Sequence, residues 1–243
     1  MTMPHKPTAA SPYRPTATPT LGILMLKTAF PRPRGDVGNP ATWSVPTRYR
    51  VVETAIVASV VKSGPLPLPL LMAFIEAGWA LVEEGATLIT TSCGFLVTAQ
   101  KALAEALPVP VVTSSLLQIP EVQAGLPAGR RVGIVTFDAL RLGPAHLAAA
   151  GAPADTPVIG LEGGSELHRV ISGDLPRLDA RAAEADLLAA GATLKARCPG
   201  LGAVVLECTN LPPYRAALAR HLRLPVHDLV TLVEAQLAGG QPL

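Results

Sequence analysis

The chain has 243 residues, of which 49% are hydrophobic and 16% charged, and its formal net charge is +2. This length can bury a large core in one domain or two small lobes, and a nearly neutral chain without a basic stripe argues against nucleic acid as a partner. No apolar run is long enough to cross a bilayer, and an odd set of three cysteines argues against a secreted disulfide framework. We therefore expect a soluble cytoplasmic protein with free thiols and no membrane partner.

Short apolar runs alternate with segments of helical spacing along most of the chain. Residues 1–20 contain five prolines, which is typical of an extended tail. The predicted strands are 21–26, one near the start of 48–62, 86–92, 109–115, 131–137, 157–163, 202–208 and 225–230. The predicted helices are 68–85, 95–107, 139–151, 179–197, 213–222 and one at the C-terminus. Strands that alternate with helices form βαβ units, so the pattern predicts an α/β protein with parallel sheets covered on both faces.

Two of the three cysteines lie at the carboxyl ends of predicted strands. Cys93 follows the strand at 86–92, and Cys208 ends the strand at 202–208. Ligands bind at that edge of a parallel sheet, and the start of a following helix is expected to lower a thiol pKa. A lone cysteine there could equally be a small buried hydrophobe, but two in matching contexts favour catalysis. Cys198, at a helix end, is expected to be structural.

One thiol from each half of the chain suits a reaction that needs a base and an acid on opposite faces of one carbon. That reaction is racemisation or epimerisation, in which a thiolate takes the α-proton and a thiol returns one on the other face.

The motifs around both cysteines resemble the aspartate/glutamate/hydantoin racemase superfamily, whose members use two cysteines and no cofactor. ECTNLP at 207–212 resembles the motif of the second catalytic cysteine, and TTSCG at 90–94 resembles the first. GIVT at 133–136 resembles the strand that opens the second lobe and whose Thr helps to hold the substrate carboxylate. The resemblance covers roughly residues 21–240.

This resemblance implies two pseudo-symmetric Rossmann-like lobes, each a mainly parallel sheet with flanking helices, with the active site in the cleft between them. Lobe 1 is expected at 21–117 with 225–243, and lobe 2 at 118–224. The implied catalysts are Cys93 and Cys208, acting without cofactor or metal on the α-carbon of an amino acid, a hydantoin or a related small carboxylate. A homo-oligomer is an open alternative to a monomer.

Several other residues near the strand ends are candidates for substrate binding. They are Asp36, Asn39, Gly94, Phe95, Ser114, Thr136, Thr209 and Asn210. Asn210 stands where glutamate racemases often have His, and the Gly94–Phe95 pair replaces a polar pair. These departures favour a larger or less polar substrate than a small acidic amino acid. Glu162 and Glu207 are plausible helpers, although such residues are more often solvated or structural.

Two other classes of function remain open. Maleate isomerases of this superfamily also keep two cysteines, whereas arylmalonate decarboxylases keep one, so the pair argues against the decarboxylase branch. A small-molecule binding protein without catalysis is the other alternative.

Overall fold

The computed structural model describes residues 19–164 and 166–239, so the tail expected at 1–20 lies almost wholly outside the described residues. The described chain forms two four-stranded parallel sheets with flanking helices, which confirms the predicted α/β fold class. The strand order is β2-β1-β3-β4 in the first sheet and β6-β5-β7-β8 in the second. The two orders are equivalent, so the lobes are pseudo-symmetric.

The strands of the first sheet are β1 (Leu21–Leu26), β2 (Thr47–Val52), β3 (Leu88–Thr91) and β4 (Val111–Val112). Those of the second are β5 (Arg131–Thr136), β6 (Val158–Gly160), β7 (Leu201–Leu206) and β8 (Val226–His227). Every pairing in both sheets is parallel.

The α-helices are α1 (Val57–Val60), α2 (Leu68–Glu83), α3 (Gln100–Ala106), α4 (Ile119–Ala124), α5 (Pro144–Ala149), α6 (Leu167–Ser172), α7 (Ala180–Arg197), α8 (Arg215–Leu222) and α9 (Leu229–Leu237). Short 3-10 helices occupy Pro40–Thr42, Gly94–Ala99, Ser115–Gln118 and Pro212–Tyr214. Among the described residues, no helix is both long enough and apolar enough to span a membrane.

The first strand shows how a continuous apolar run is buried on both faces. Leu24 and Leu26 pack into the main core, which extends through both lobes, whereas Leu21, Ile23 and Met25 pack into a second core beneath α9. Alternate side chains of a strand point to opposite faces of the sheet, so each face of β1 needs its own cover. Helix α9 supplies that cover on the outer face of lobe 1.

Three sequence predictions differ from the structure. The lobe boundary expected at 225 is wrong by a few residues, because β8 pairs with β7 in the second sheet and only α9 returns to lobe 1. Helix α5 begins at Pro144 rather than near 139, since a proline is favoured in the first turn of a helix. The glycine-rich stretch at 161–164 is followed by a helix, α6, which the sequence analysis did not predict.

We expect Phe74→Ala in α2 to lower the free energy of unfolding by about 3–5 kcal/mol, because the side chain is fully buried in the main core. Met72→Ala on the same helix is the matched control: Met72 is 54% exposed, and its loss should change stability by about 0.5 kcal/mol or less. Urea denaturation of both variants measures the difference. Equal stabilities would contradict this packing of α2.

Candidate active site

The two cysteines occupy equivalent places in the two lobes. Cys93 lies two residues beyond the end of β3, and Cys208 lies two residues beyond the end of β7. Each of these strands is third in the order of its sheet. Both thiols are free, and each residue is buried, with 8% and 7% of its surface exposed. The sequence prediction that both cysteines lie at the carboxyl ends of parallel strands is therefore confirmed.

Both cysteines line one small cavity between the lobes, whose volume is about 20 Å³, room for about one water molecule. Its wall is largely apolar and aromatic, and it includes a single guanidinium and a single carboxyl group. The lining residues that matter for its chemistry are Phe30, Arg32, Cys93, Gly94, Phe95, Phe137, Glu207, Cys208, Thr209 and Asn210. The guanidinium of Arg32 lies over the ring of Phe30, 4.7 Å from its centroid.

The residue before each cysteine also occupies an equivalent place. The backbone N–H of Ser92 donates to the Leu24 carbonyl, and that of Glu207 donates to the Val135 carbonyl, each at 2.9 Å. The Ser92 hydroxyl then accepts from the Leu26 N–H at 2.9 Å, and a Glu207 carboxylate oxygen lies 3.5 Å from the Phe137 N–H. The backbone pattern is thus repeated in both lobes, but lobe 1 has a hydroxyl where lobe 2 has a carboxyl group.

The two cysteine loops pack directly against each other. The Thr209 hydroxyl donates to the Ser92 carbonyl oxygen at 2.6 Å, and the Ser115 hydroxyl donates to the Leu206 carbonyl oxygen at 2.7 Å. A Cβ atom at Gly94 would lie 2.3 Å from the Glu207 carbonyl oxygen and 2.4 Å from Oε1 of its side chain. Only glycine allows this approach, which explains why Gly94 follows the first cysteine.

A chain of hydrogen bonds connects Cys208 to the loop after β1. The Cys208 thiol donates to Oδ1 of Asn210 at 3.4 Å, and Nδ2 of Asn210 donates to Oδ2 of Asp36 at 2.6 Å. The other oxygen of Asp36 accepts from Arg32 at 2.9 Å and from the Gly38 N–H at 2.7 Å. Asn210 is therefore held with its carbonyl oxygen toward the thiol. The loop that supplies this anchor belongs to lobe 1.

The expectation that both thiol pKa values are lowered is wrong for the free protein. Burial, followed by the Glu207 carboxylate, raises the pKa of Cys93 to about 12, although the Phe95 N–H and Arg32 oppose the shift. Burial and then Glu207 also raise the pKa of Cys208 well above its ordinary value, against the Asn210 N–H. Desolvation disfavours a buried charge, and no α-helix begins directly after either cysteine to offset it.

Glu207 is the most easily ionised of the three acidic groups in the cavity. Burial raises the pKa of its carboxyl to about 7, while hydrogen bonds from the Thr136 hydroxyl and the Phe137 N–H lower it. The Thr136 bond to Oε2 is 2.7 Å long. Oε1 is buried and has no hydrogen-bond partner among the described residues.

The structure brings five of the eight other candidate residues to the cavity or next to it. The cavity is lined by Gly94, Phe95, Thr209 and Asn210. Asp36 lies next to it and accepts a hydrogen bond from Asn210. Their contact with substrate stays a prediction.

The remaining three candidates have other hydrogen-bond partners and do not line the cavity. Asn39 binds the Arg32 carbonyl and the Ala41 N–H, and Ser114 caps a 3-10 helix through the Leu116 N–H. The Thr136 hydroxyl, expected to grip a carboxylate of the substrate, instead donates to Glu207.

Four residues that line the cavity are not among the site residues predicted from the sequence: Arg32, Phe30, Phe137 and Glu207. Arg32 and Phe30 follow β1 and Phe137 follows β5, so their position after a central strand was the available signal. Glu207 was considered only as a helper, because a glutamate beside a cysteine reads equally well as solvated.

Other features outside this cavity carry less chemistry. A larger groove of about 450 Å³ lies between β6 and α7, but neither Cys93 nor Cys208 lines it. Within residues 19–164 and 166–239, no three His, Cys, Asp or Glu side chains are grouped to hold a metal ion.

The fold and this site define a two-lobed α/β protein with paired cysteines at the ends of equivalent strands. The Asp/Glu/Hydantoin racemase family model matches residues 58–237, and the chain belongs to that family. Among solved structures, a cysteine-substituted mutant of arylmalonate decarboxylase has a TM-score of 0.62 at 20% identity, covering 91% of this chain and 94% of the other. Allantoin racemase from Klebsiella pneumoniae has a TM-score of 0.55 at 18% identity, covering 93% and 91%. These structures share the fold.

Curated relatives carry the name of a lyase. The chain is 31% identical over 232 residues to dimethylsulfoniopropionate lyase 3 of Emiliania huxleyi. The matched region covers 90% of this chain and 59% of that protein. It is 27% identical over 227 residues to the dimethylsulfoniopropionate lyase of Durusdinium sp. clade D, covering 90% and 74%. The chain thus spans about three-fifths of the length of the first of these relatives. Membership of the racemase family identifies the chain as an enzyme.

We expect iodoacetamide to alkylate Cys93 and Cys208 more slowly at pH 7.5 than it alkylates a free cysteine, because both pKa values are raised. Peptide mass spectrometry after timed quenching gives each rate separately, and the rates should increase steeply above pH 9. Denatured protein is the control, in which both cysteines should react as free thiols. Rapid alkylation of either native cysteine at pH 7.5 would contradict the raised pKa values.

We expect Glu207→Gln to change how stability depends on pH. The folded-state pKa of Glu207 is about 7, above the ordinary value of 4.5, so its neutral form contributes fully below pH 4.5 and that contribution is lost as pH rises through 7. The wild type should therefore lose roughly 2 kcal/mol relative to Glu207→Gln between pH 5 and 8.5. Urea denaturation of both proteins at each pH measures this difference. A constant difference would show that Glu207 does not ionise in this range.

Proposed function

We propose that the protein is a cofactor-independent lyase that takes a proton from the carbon beside a carboxylate and expels a neutral sulfide from the next carbon. The observation that carries the proposal is the cavity itself, in which two cysteines and one carboxyl group face an aromatic wall. The proposed substrate is dimethylsulfoniopropionate, a choice supported by the similarity to relatives of that name over 90% of the chain.

The lining of the cavity suits a small molecule with an anion at one end and a sulfonium cation at the other. Its volume of about 20 Å³ is far below the roughly 300–1,000 Å³ of ligand pockets, so the two lobes must move apart to admit a substrate. Phe95 and Phe137 offer ring surfaces, whereas the ring of Phe30 already lies against the guanidinium of Arg32. Ligand cations bind over aromatic rings by electrostatic attraction to the ring face. Arg32 is the cation in the lining that can attract the carboxylate. We infer that the sulfonium group lies against the phenylalanines.

The reaction needs one thiolate and moves one pair of electrons along the substrate. A cysteine thiolate takes the α-proton and becomes a thiol, while the C–H electrons delocalise onto the carboxylate. These electrons then form the carbon–carbon double bond as the Cβ–S bond breaks, and its electron pair leaves on sulfur. The products are dimethyl sulfide and acrylate. The leaving group is neutral and needs no protonation, so the thiol finally loses its proton to solvent.

Racemisation or epimerisation is the second candidate. It is favoured by the equivalent placement of Cys93 and Cys208 in pseudo-symmetric lobes, since inversion needs an acid and a base on opposite faces of one carbon. The substrate would be an amino acid, a hydantoin or a related carboxylate, bound without cofactor.

We expect the purified protein to release dimethyl sulfide and acrylate from dimethylsulfoniopropionate, measured by gas chromatography and by absorbance. Of Cys93→Ala and Cys208→Ala, the variant that removes the thiolate base should lower kcat/KM by about 10²–10⁴-fold, because proton abstraction needs that group. Cys198→Ala is the matched control: Cys198 lies at the end of α7, outside the cavity, and its loss should leave activity unchanged.

Parallel incubations in deuterated water distinguish the two candidates. A lyase forms acrylate, whereas a racemase inverts and deuterates the stereocentre of an amino acid, a hydantoin or allantoin. Inversion without any release of dimethyl sulfide would reject the lyase and support the racemase. Loss of activity in Cys198→Ala but not in Cys93→Ala or Cys208→Ala would place the chemistry elsewhere.

A further inference from the structure

Glu207 breaks the pseudo-symmetry of the site at the position nearest to its chemistry. The equivalent residue in lobe 1, Ser92, uses its hydroxyl to accept from the Leu26 backbone and does not ionise. Glu207 keeps the matching backbone contact but adds an acidic group, which is 1% exposed and lines the cavity. A buried carboxyl group without full pairing is unfavourable for folding, so its presence beside two thiols points to a role in the site.

The two oxygens of Glu207 have different surroundings, and these place its proton. Oε2 accepts from the Thr136 hydroxyl at 2.7 Å and faces the Phe137 N–H at 3.5 Å. Oε1 has no hydrogen-bond partner among the described residues. When the carboxyl is neutral, its proton therefore lies on Oε1.

Gly94 leaves the space that this oxygen needs. A Cβ at that position would lie 2.4 Å from Oε1, so Oε1 lies against the residue that follows Cys93. Glu207 itself precedes Cys208 in the chain. The ionisable oxygen thus lies between the two cysteine loops. Neither thiol donates a hydrogen bond to it in the free protein, so a thiol must turn toward Oε1 before it gives up its proton.

We propose that Glu207 is the proton partner of the two cysteines: Oε1 takes the proton of a thiol to produce the thiolate, and the neutral acid then donates a hydrogen bond to the substrate carboxylate. The identity of that carboxylate rests on the proposed function, but the proton exchange does not.

The exchange balances within the cavity. The S–H bond of a cysteine breaks, its electrons stay on sulfur, and an O–H bond forms at Oε1. When the thiolate removes the α-proton, negative charge develops on the substrate carboxylate. A preorganised hydrogen-bond donor in a site without water stabilises that charge most strongly. The Oε1–H group is that donor. After the product leaves, sulfur and Oε1 each carry a proton, and the release of one proton to solvent restores the starting thiol and carboxylate.

Four other charged or titratable groups surround this exchange. Cys93 and Cys208 face Glu207 from the two loops, and its carboxylate raises the pKa of both. Arg32 lowers the pKa of Cys93, and Asp36 raises that of Cys208. Above pH 7 the cavity therefore gains one negative charge, which is mostly on Glu207 and to a small extent on a thiol.

Alkylation as a function of pH tests the exchange without any substrate. In the wild type, the alkylation rate of Cys93 or Cys208 should rise to a low plateau near pH 7 and rise again above pH 9. Glu207→Gln should remove the first step and move the second to lower pH, because the repelling carboxylate is gone. Glu121→Gln, an exposed glutamate on α4, is the matched control and should keep both steps. Absence of the first step in the wild type would overturn the proposal.

Activity as a function of pH tests the role of the acid toward the substrate. With dimethylsulfoniopropionate, kcat/KM of the wild type should rise with a midpoint near pH 7. Glu207→Gln keeps a donor but has no proton acceptor, so its profile should shift upward by at least about one pH unit and approach the wild type near pH 9.5. Glu207→Leu lacks the donor and should remain lower by on the order of 10²-fold at every pH.

Circular dichroism and thermal melts restrict the comparison to folded protein. An unchanged activity profile in Glu207→Gln would overturn the proposal and leave Glu207 a structural group. A two-step alkylation profile in a protein that does not cleave dimethylsulfoniopropionate would support the proton exchange and reject the proposed substrate. The two failures are thus distinguishable.

Discussion

The site depends on the direct packing of two loops that lie nearly a hundred and twenty residues apart in the chain. The Thr209 hydroxyl donates to the Ser92 carbonyl, and Gly94 lets the backbone of Glu207 approach where any side chain would collide. These contacts join the carboxyl edges of the two sheets, so that both cysteines open into one cavity. Without the contact, each thiol would be a separate group at the edge of its own lobe.

The same contact explains why the thiols are not activated in the free protein. Packing the loops together removes water from Cys93, Cys208 and Glu207 at once, and removing water disfavours each negative charge. A 3-10 helix, not an α-helix, starts at Gly94 directly after Cys93, and the one after Cys208 starts only at Pro212, so they offset little of this cost. Burial thus brings the three acidic groups together and also raises the pKa of each.

The fold could be predicted from the sequence because its signals are local. Continuous apolar runs such as LGILML at 21–26 have few alternatives to a buried parallel strand, and a cysteine after such a run must lie at the carboxyl edge. The boundary near 225 was less secure, since β8 and α9 belong to different lobes although only one residue separates them. Adjacency in sequence carries little information about which sheet a two-residue strand joins.

The electrostatics of the site could not be predicted in the same way. The pKa of Cys93 depends on how completely the opposite lobe covers it, and no local pattern records that contact. Asn39 and Asp36 are only three residues apart, yet Asp36 anchors Asn210 while Asn39 stabilises its own loop. Thr136 matched a substrate-binding motif, but Glu207, which follows β7, already accepts the hydrogen bond of its hydroxyl group. Such outcomes depend on partners from distant strands.

Lobe 1 has a hydroxyl group at Ser92 where lobe 2 has a carboxyl group at Glu207. This difference affects which reactions the two lobes can catalyse together. Mirror-image substrates have equal free energies, so a racemase must show the same kcat/KM in both directions. Lobes that differ can change kcat and KM in one direction, but only together, so that kcat/KM stays equal. An elimination converts one molecule into two different ones and carries no such equality. Two lobes that catalyse an elimination can therefore differ. One can carry an acidic group such as Glu207, and the other a glycine such as Gly94 that leaves room for it.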